Sequence, residues 1–303
     1  MSDVSFSVNV CSADAPFAEK TIRHMIRSIA HPFCERIAIF DKGKPEGKYS
    51  RRQGADLEKI SASLQRLINE GVLDKVIAVP WEDKEIRRIA GKYFDNPDMP
   101  LRDRDGAPIY QYLFALDACN GEYILRVDSD MLFHRGESPS WIMQGMQLME
   151  NNQEVAFVSC ESPPKARNRV ERFTGRYFRS PKRKWQYVQT VSTRHFLTNR
   201  ERLQNVLSPL IPKDEGEALE QTLAETCYRK SLWRARLDFR FGWAVHPLRH
   251  NEEFIRNIDS LIYLVEKGEF PFVRPGQHYN LYTGEGAVEP WLDLLPKGGR
   301  FSE

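Results

Sequence analysis

An α/β fold with a mostly parallel sheet, helices on both faces, is predicted by three features of this sequence. Short apolar segments of strand character alternate with amphipathic helical segments, Gly-, Pro- and Asp-bearing loops join them, and several strands end at a carboxylate or hydroxyl. At 303 residues, 28% of them charged, the chain suits one large domain with a C-terminal appendage. Its formal charge of +2 gives no global field arguing for nucleic acid. Five scattered cysteines without a C-x-x-C pair predict reduced, largely buried thiols. Met-Ser-Asp-Val-Ser has neither the basic nor the apolar region of a leader, and no apolar run approaches the roughly 18 residues of a membrane span. The expected location is the cytoplasm.

Ser5 to Val10 alternates as a first strand, and Cys11-Ser-Ala-Asp-Ala-Pro16 supplies a cap and a Pro near a helix start. Ala18, Ile22, Met25, Ile26 and Ile29 then share one helical face, which His31-Pro32 ends. Arg36 to Phe40 is a second strand finishing at Asp41, and a polar, basic loop runs from Lys42 to Gly54. Leu57, Ile60, Leu64, Leu67 and Ile68 mark the next helix, Lys75 to Pro80 a third strand, and Glu82 to Phe94 another helix. After the loop from Asp95 to Ala107, a helix from Pro108 to Leu116 leads into Tyr123-Ile-Leu-Arg-Val127, which ends at Asp128-Ser129-Asp130.

Carboxylates at that place face a crevice, because ligands of open α/β sheets sit outside the carboxyl ends of the strands. Two hard oxygen donors one residue apart can share a divalent cation with a diphosphate. Asp103-Arg-Asp105 has the same spacing but precedes a Gly and reads as a solvated turn. Right-handed crossovers bring the ends at Ser12 and Asp14, at Asp41, and at Asp128 and Asp130 to one sheet edge.

Beyond Phe133 the sequence predicts a helix opened by Ser138-Pro139 with Trp141, Ile142, Met146 and Met149 in the core, and a strand from Glu154 to Ser159. Lys165 to Lys184 carries nine basic residues against one acid, with Phe173, Tyr177 and Phe178 interleaved and Trp185 next, the composition of a loop that binds an anionic partner. Trp185 to Val191 reads as strand and Asn199 to Val206 as a short capped helix. Pro212 to Glu217 is an acidic turn opening a helix through Tyr228; its acids equally suit helix capping. Trp233 to Phe241 alternates as an antiparallel-type strand with one wet face, followed by His246 and His250, which also suit an ordinary loop. Glu252 to Lys267 is amphipathic and suited to packing, and the tail from Phe270 to Glu303 is a candidate lid.

In these pieces the chain resembles the GT-A-fold glycosyltransferases, and is most similar to their family-2 group, which uses nucleotide-diphosphate sugars. Ser5 to Asp14 matches the family's first strand and nucleotide turn, Arg36 to Asp41 its second strand ending in a base-reading Asp, and Asn120-Gly-Glu-Tyr-Ile-Leu-Arg-Val-Asp-Ser-Asp130 its D-x-D signature. Departures are the missing Pro-Thr-x-Asn in the first turn and Lys-Gly in place of Asp-Gly-Ser after Asp41.

The resemblance implies a GT-A, Rossmann-like mixed sheet over residues 1–250, with a nucleotide half to 130, an acceptor half from 131, and a helix and tail at 251–303. It further implies a metal-dependent, inverting hexosyltransferase-type enzyme. Ser12, Asp14, Asp41, Asp128 and Ser129 would contact the nucleotide of a UDP-sugar. Asp128, Asp130 and His246, with His250 or His278 in reserve, would hold Mn²⁺ or Mg²⁺. Glu215, with Asp214 and Glu217 as rivals, would take the acceptor proton, and Lys165 to Lys184 would meet an anionic acceptor: a phospholipid carrier, an acidic glycan or a nucleic acid.

Two other readings compete. A sugar-phosphate nucleotidyltransferase also uses an Asp-held metal, but its Gly-rich basic loop has no counterpart in Cys-Ser-Ala-Asp-Ala-Pro. A non-catalytic nucleic-acid-binding protein could use the basic segment alone.

Overall fold

The computed structural model describes residues 3–43, 54–161, 184–214, 216–247, 250–271 and 288–295. The predicted alternation is realised as β1 (Val4–Cys11), α1 (Ala18–Ile29), β2 (Glu35–Asp41), α2 (Leu57–Asn69), β3 (Lys75–Ala78), α3 (Asp83–Phe94), α4 (Tyr110–Asp117) and β4 (Tyr123–Asp128). The four strands pair in parallel in the order β3-β2-β1-β4, which aligns their carboxyl ends along one edge. Because strand side chains alternate, Val4, Phe6, Val8 and Val10 of β1 join Ile22 and Met25 of α1 and Ile60 and Leu64 of α2 in one core. Each such fully buried side chain is worth about 1.5–3 kcal/mol. On the other face Ile37, Ile39 and Ile124 pack with Tyr110 and Leu113 of α4 in a second core.

Local chemistry sets the element ends. Ala30 takes a left-handed conformation (φ 46°), and its N–H closes α1 on the Ile26 carbonyl at 3.1 Å before His31-Pro32. Asp56 caps α2 by accepting from Lys59 N at 2.8 Å. The Gly of the D-x-D signature has a steric role: a Cβ on Gly121 would lie 2.7 Å from Ser5 N, so only glycine lets this turn rest against β1.

The second half adds β5 (Leu132–Arg135), α5 (Trp141–Asn151), β6 (Val155–Ser159), β7 (Trp185–Val188), β8 (His195–Asn199), β9 (Trp233–Leu237) and β10 (Gly242–Val245). The sheet continues from β4 as β8-β6-β9-β7, and β5 and β10 form a separate antiparallel ribbon. β8 is antiparallel to both β4 and β6, which makes the eight-stranded sheet mixed.

Several elements differ from the expectation. β8 was not anticipated: five residues with only Phe196 and Leu197 apolar carry too little pattern, and β4 on one side and β6 on the other select it. The strand read from Trp233 stops at Leu237 and turns through Phe239–Phe241. Its expected wet face is only partly realised: Arg234 is buried, while Arg236 stays half-buried and pairs with Glu161 at 2.8 Å. The strand read to Val191 ends at Val188, on the sheet's exposed edge. The capped helix at Asn199 is a single α-turn, Arg200–Arg202, running into a wider one, Leu203–Leu207.

The C-terminal amphipathic stretch is two helices, Glu252–Arg256 and Ile258–Lys267, broken at Asn257. Phe254, Ile258, Leu261 and Val265 share a core with Phe17, Leu132, Trp243, Val245 and Trp291, so this region is continuous with the body. His24, buried in α1, ties them together: Phe133 N donates to its Nε2 at 2.9 Å, and its Nδ1 lies 2.8 Å from Glu266. Among the described residues no helix is long and apolar enough to cross a membrane, and none of the five cysteines forms a disulfide.

Candidate active site

Where β1, β2 and β4 end, a cavity of about 300 Å³ opens between the sheet edge, the first turn of α4 and the start of the helix Leu219–Arg229. Asp14, Asp41, Asp128, Ser129 and Asp130 all line it, far apart in sequence and brought together by the parallel crossovers. Ser12 is not among the lining residues; its carbonyl accepts from Asp56 N at 3.0 Å and holds the loop before α2. Asp14 folds back to accept from Cys11 N at 2.8 Å, and Asp41 accepts from Gly43 N at 2.8 Å with Arg102 at 3.6 Å. The Asp103 turn is the local structure expected, its carboxylate accepting from Asp105 N at 2.9 Å and Ala107 N at 2.7 Å, yet it forms part of the cavity wall instead of facing only solvent.

The two carboxylates of D-x-D differ. Asp128 Oδ1 accepts from Arg126 Nη2 at 2.5 Å, a pair made by residues two apart on one strand face, and Arg126 lies under the ring of Tyr112 at 3.8 Å. Burial pushes the Asp128 carboxyl above the usual carboxylate range, resisted by Arg126 and reinforced by the charge of Asp130. Asp130 Oδ2 lies 2.8 Å from His250 Nε2. Burial alone would raise Asp130 too, but the hydrogen bond and charge of His250, with smaller contributions from His246 and Arg194, hold it well below the usual range.

Of the histidines, the structure brings His250 to Asp130, where Phe17 braces its ring at 4.6 Å. His246 is near enough to feel the Asp130 charge but makes its hydrogen-bond contacts with other groups: its Nδ1 is 3.1 Å from Arg194 Nη1 and 3.0 Å from the Pro247 carbonyl. Burial and the Arg194 charge push His246 down to about 4, so its imidazole is neutral. His278 lies outside the described residues.

The acidic turn also separates its members. Glu217 is buried and spent on local structure, accepting from Lys213 N and Thr222 Oγ1, each at 3.1 Å. Asp214 is exposed, 3.9 Å from Arg104. Glu215 lies outside the described residues, as does the basic segment apart from Lys184. The acid that does line the cavity is Glu220, one turn further on, held by Thr193 N at 2.9 Å and Thr193 Oγ1 at 3.0 Å. Nothing in the sequence singles it out from its acidic neighbours. Arg126 did leave a signal, a charge inside an apolar strand two residues before Asp128, whereas Arg102 and Arg194 left none.

The residues around Asp130 fit a divalent cation that arrives with its ligand. Asp130 Oδ1 and His250 Nδ1 are buried without a hydrogen-bond partner. Among the described residues no three carboxylate, imidazole or thiol groups converge to hold an ion unaided. Mg²⁺-type sites built from one or two protein ligands are completed by phosphate oxygens and water.

No family model matches the sequence, and no curated protein does. Among solved structures, the chain aligns with a mycobacterial protein at 14% identity over 86% of this chain and 72% of that one, with a TM-score of 0.41. TarS of S. aureus aligns at 14% identity over 87% of this chain and 39% of its own, TM-score 0.45. Glucosyl-3-phosphoglycerate synthase from Mycobacterium tuberculosis, solved with Mn²⁺, UDP and glucosyl-3-phosphoglycerate, aligns at 16% identity over 90% of this chain and 81% of its own, TM-score 0.43.

Proposed function

We propose that this chain is a metal-dependent, inverting glycosyltransferase that takes a sugar from a nucleotide-diphosphate donor, with UDP-sugars the first to be tested. The observation that carries the reading is Asp130: a buried carboxylate at the end of the β4 strand–turn, inside the cavity, with one oxygen on His250 and the other unpartnered. The wall supports it. Seven carboxylates (Asp14, Asp41, Asp103, Asp105, Asp128, Asp130 and Glu220) stand against Arg102 and Arg194, a field that repels a bare diphosphate and accepts one bearing a divalent cation.

In this reading Asp130 and His250 would hold Mn²⁺ or Mg²⁺, which when bound offsets the charge growing on the leaving diphosphate. Asp128, oriented by Arg126, accepts from a ribose hydroxyl. Arg194, held beside His246, faces the departing phosphates. Glu220, oriented by Thr193, takes the proton of the acceptor hydroxyl as its oxygen bonds to the anomeric carbon and the bond to the diphosphate breaks; Glu215 is the alternative. The basic residues from Lys165 to Lys184 would meet an anionic acceptor, and the reduced thiols suit a cytoplasmic setting.

The test is a panel of nucleotide sugars with Mn²⁺, scored by the product released. Release of a nucleoside diphosphate is expected. Pyrophosphate would assign the chain to the nucleotidyltransferases, and no turnover or binding with any donor would overturn the reading.

A further inference from the structure

Arg126 lies in the middle of β4, between Ser7 of β1 and Phe196 of β8, and is 1% exposed. Its guanidinium donates from Nη2 to Asp128 Oδ1 at 2.5 Å, while Nε and Nη1 are buried without a hydrogen-bond partner. One hydrogen bond does not fix a planar fork of five N–H donors, which can pivot about it. What stands over the fork is the Tyr112 ring, its centroid 3.8 Å from the guanidinium carbon, within the range of a cation–π contact.

The ring is itself held in place. Tyr112 belongs to α4, and its neighbours Tyr110 and Leu113 are fully buried in the second core, with Tyr110 Oη donating to the Pro80 carbonyl at 2.6 Å. Tyr112 is half-buried and lines the cavity, as Asp128 does. A wall residue that only filled space could be aliphatic. A ring supplies what a buried, under-bonded cation lacks, a partially negative surface in place of water. The contacts therefore run from Tyr112 to Arg126 to Asp128 and end at a cavity carboxylate.

We propose that Tyr112 is a positioning residue for the donor: its ring fixes the Arg126 guanidinium, and through it the direction in which the Asp128 carboxylate meets the nucleotide. This rests on the nucleotide-sugar reading above. A contact from Asp128 to the ribose is made alike before and during transfer, so the contribution of the ring falls on donor binding and not on the chemical step.

Titration calorimetry with UDP, GDP, CDP and ADP in the presence of Mn²⁺ tests this. Tyr112→Leu, or Tyr112→Met if the leucine variant does not fold, should weaken the nucleotide that the wild type binds most tightly by about 10-fold. The conservative Tyr112→Phe, which keeps the ring, should restore affinity to within about 2-fold of wild type. With the corresponding nucleotide sugar, Tyr112→Leu should raise the donor KM and leave kcat within about 2-fold. In an Arg126→Met background the same change should cost less than about 2-fold further, because its route to the nucleotide is gone. Asp128→Asn, isosteric with the native carboxylate, supplies that background if Arg126→Met does not fold. Losses that add would mean that Tyr112 touches the ligand itself, and an equal loss in Tyr112→Phe would assign its role to the hydroxyl. Either result, a fall in kcat at unchanged affinity, or unchanged affinity in Tyr112→Leu, overturns the inference and leaves the glycosyltransferase reading intact. Failure of the wild type to bind any of the four nucleotides would remove both.

Discussion

The two faces of β1 and β4 are built on opposite principles. One carries Val4, Phe6, Val8, Val10, Tyr123, Leu125 and Val127, all buried in a single apolar core. The other carries Ser7, Asn9 and Arg126, equally buried beside Ile124, and ends at the half-buried Asp128; on it Ser7 Oγ, both Asn9 amide atoms and two Arg126 nitrogens have no hydrogen-bond partner. Burial of unpaired polar groups is unfavourable, so the first face must stabilise the strands enough to hold the second in place. The contrast teaches where to look for chemistry: in buried polarity left unsatisfied by the fold, more than in the carboxylates most exposed to view.

The contrast can be broken by substitutions that should act on one face without the other. Asp130→Asn should cut metal-dependent donor turnover by about 10³-fold or more, since an amide is a poor ligand for a hard cation, with the melting temperature nearly unchanged. Near-normal turnover would remove the central claim. Phe6→Ala on the apolar face should do the reverse, costing about 3–5 kcal/mol in chemical denaturation while the activity per folded molecule survives. Glu220→Gln should lower transfer by about 10²-fold and leave donor affinity in place; if Glu215→Gln does so instead, the proton acceptor belongs there. His250→Ala should weaken Mn²⁺ binding in the presence of nucleotide by about 10-fold and His246→Ala much less, a titration that separates the two histidines.

The smallest effect expected is on pH dependence, through His24. Its Nε2 accepts from Phe133 N–H, and its Nδ1 faces Glu266, an arrangement met by neutral imidazole with its proton on Nδ1. Burial lowers its pKa from 6.5 in spite of Glu266. A folded-state pKa below the unfolded one means its contribution is complete above about pH 6.5 and is lost as pH falls from there through the folded value. Melting temperatures measured between pH 7.5 and 5.5 should fall on acidification, and less steeply in His24→Gln; equal slopes would take His24 out of the account.

How much was legible follows from the range of the interactions involved. β1 to β4 and their helices announce themselves through local periodicity, and the pair Asp128 and Asp130 through local spacing. β8 was hidden because its pairing partners lie about seventy residues before it and forty before it, in β4 and β6, and its own five residues carry little alternation. For the same reason His250 could not be ranked above His246: both follow β10, and only Asp130, one hundred and twenty residues away, distinguishes them. Glu217 and Glu220 look alike in sequence; the fold turns one into the start of its own helix and the other toward the cavity.

By itself, then, the sequence determined the α/β class, the parallel half of the sheet and the gathering of strand-end carboxylates at one edge, because hydrophobic periodicity and crossover handedness act over a few residues or by a rule that needs no coordinates. Only the tertiary structure decided which of those polar groups is satisfied within the protein and which is left for a ligand. That depends on contacts between residues remote in the chain, such as Arg126 beneath Tyr112 and His250 on Asp130, and these exist only once the sheet has closed over its cores.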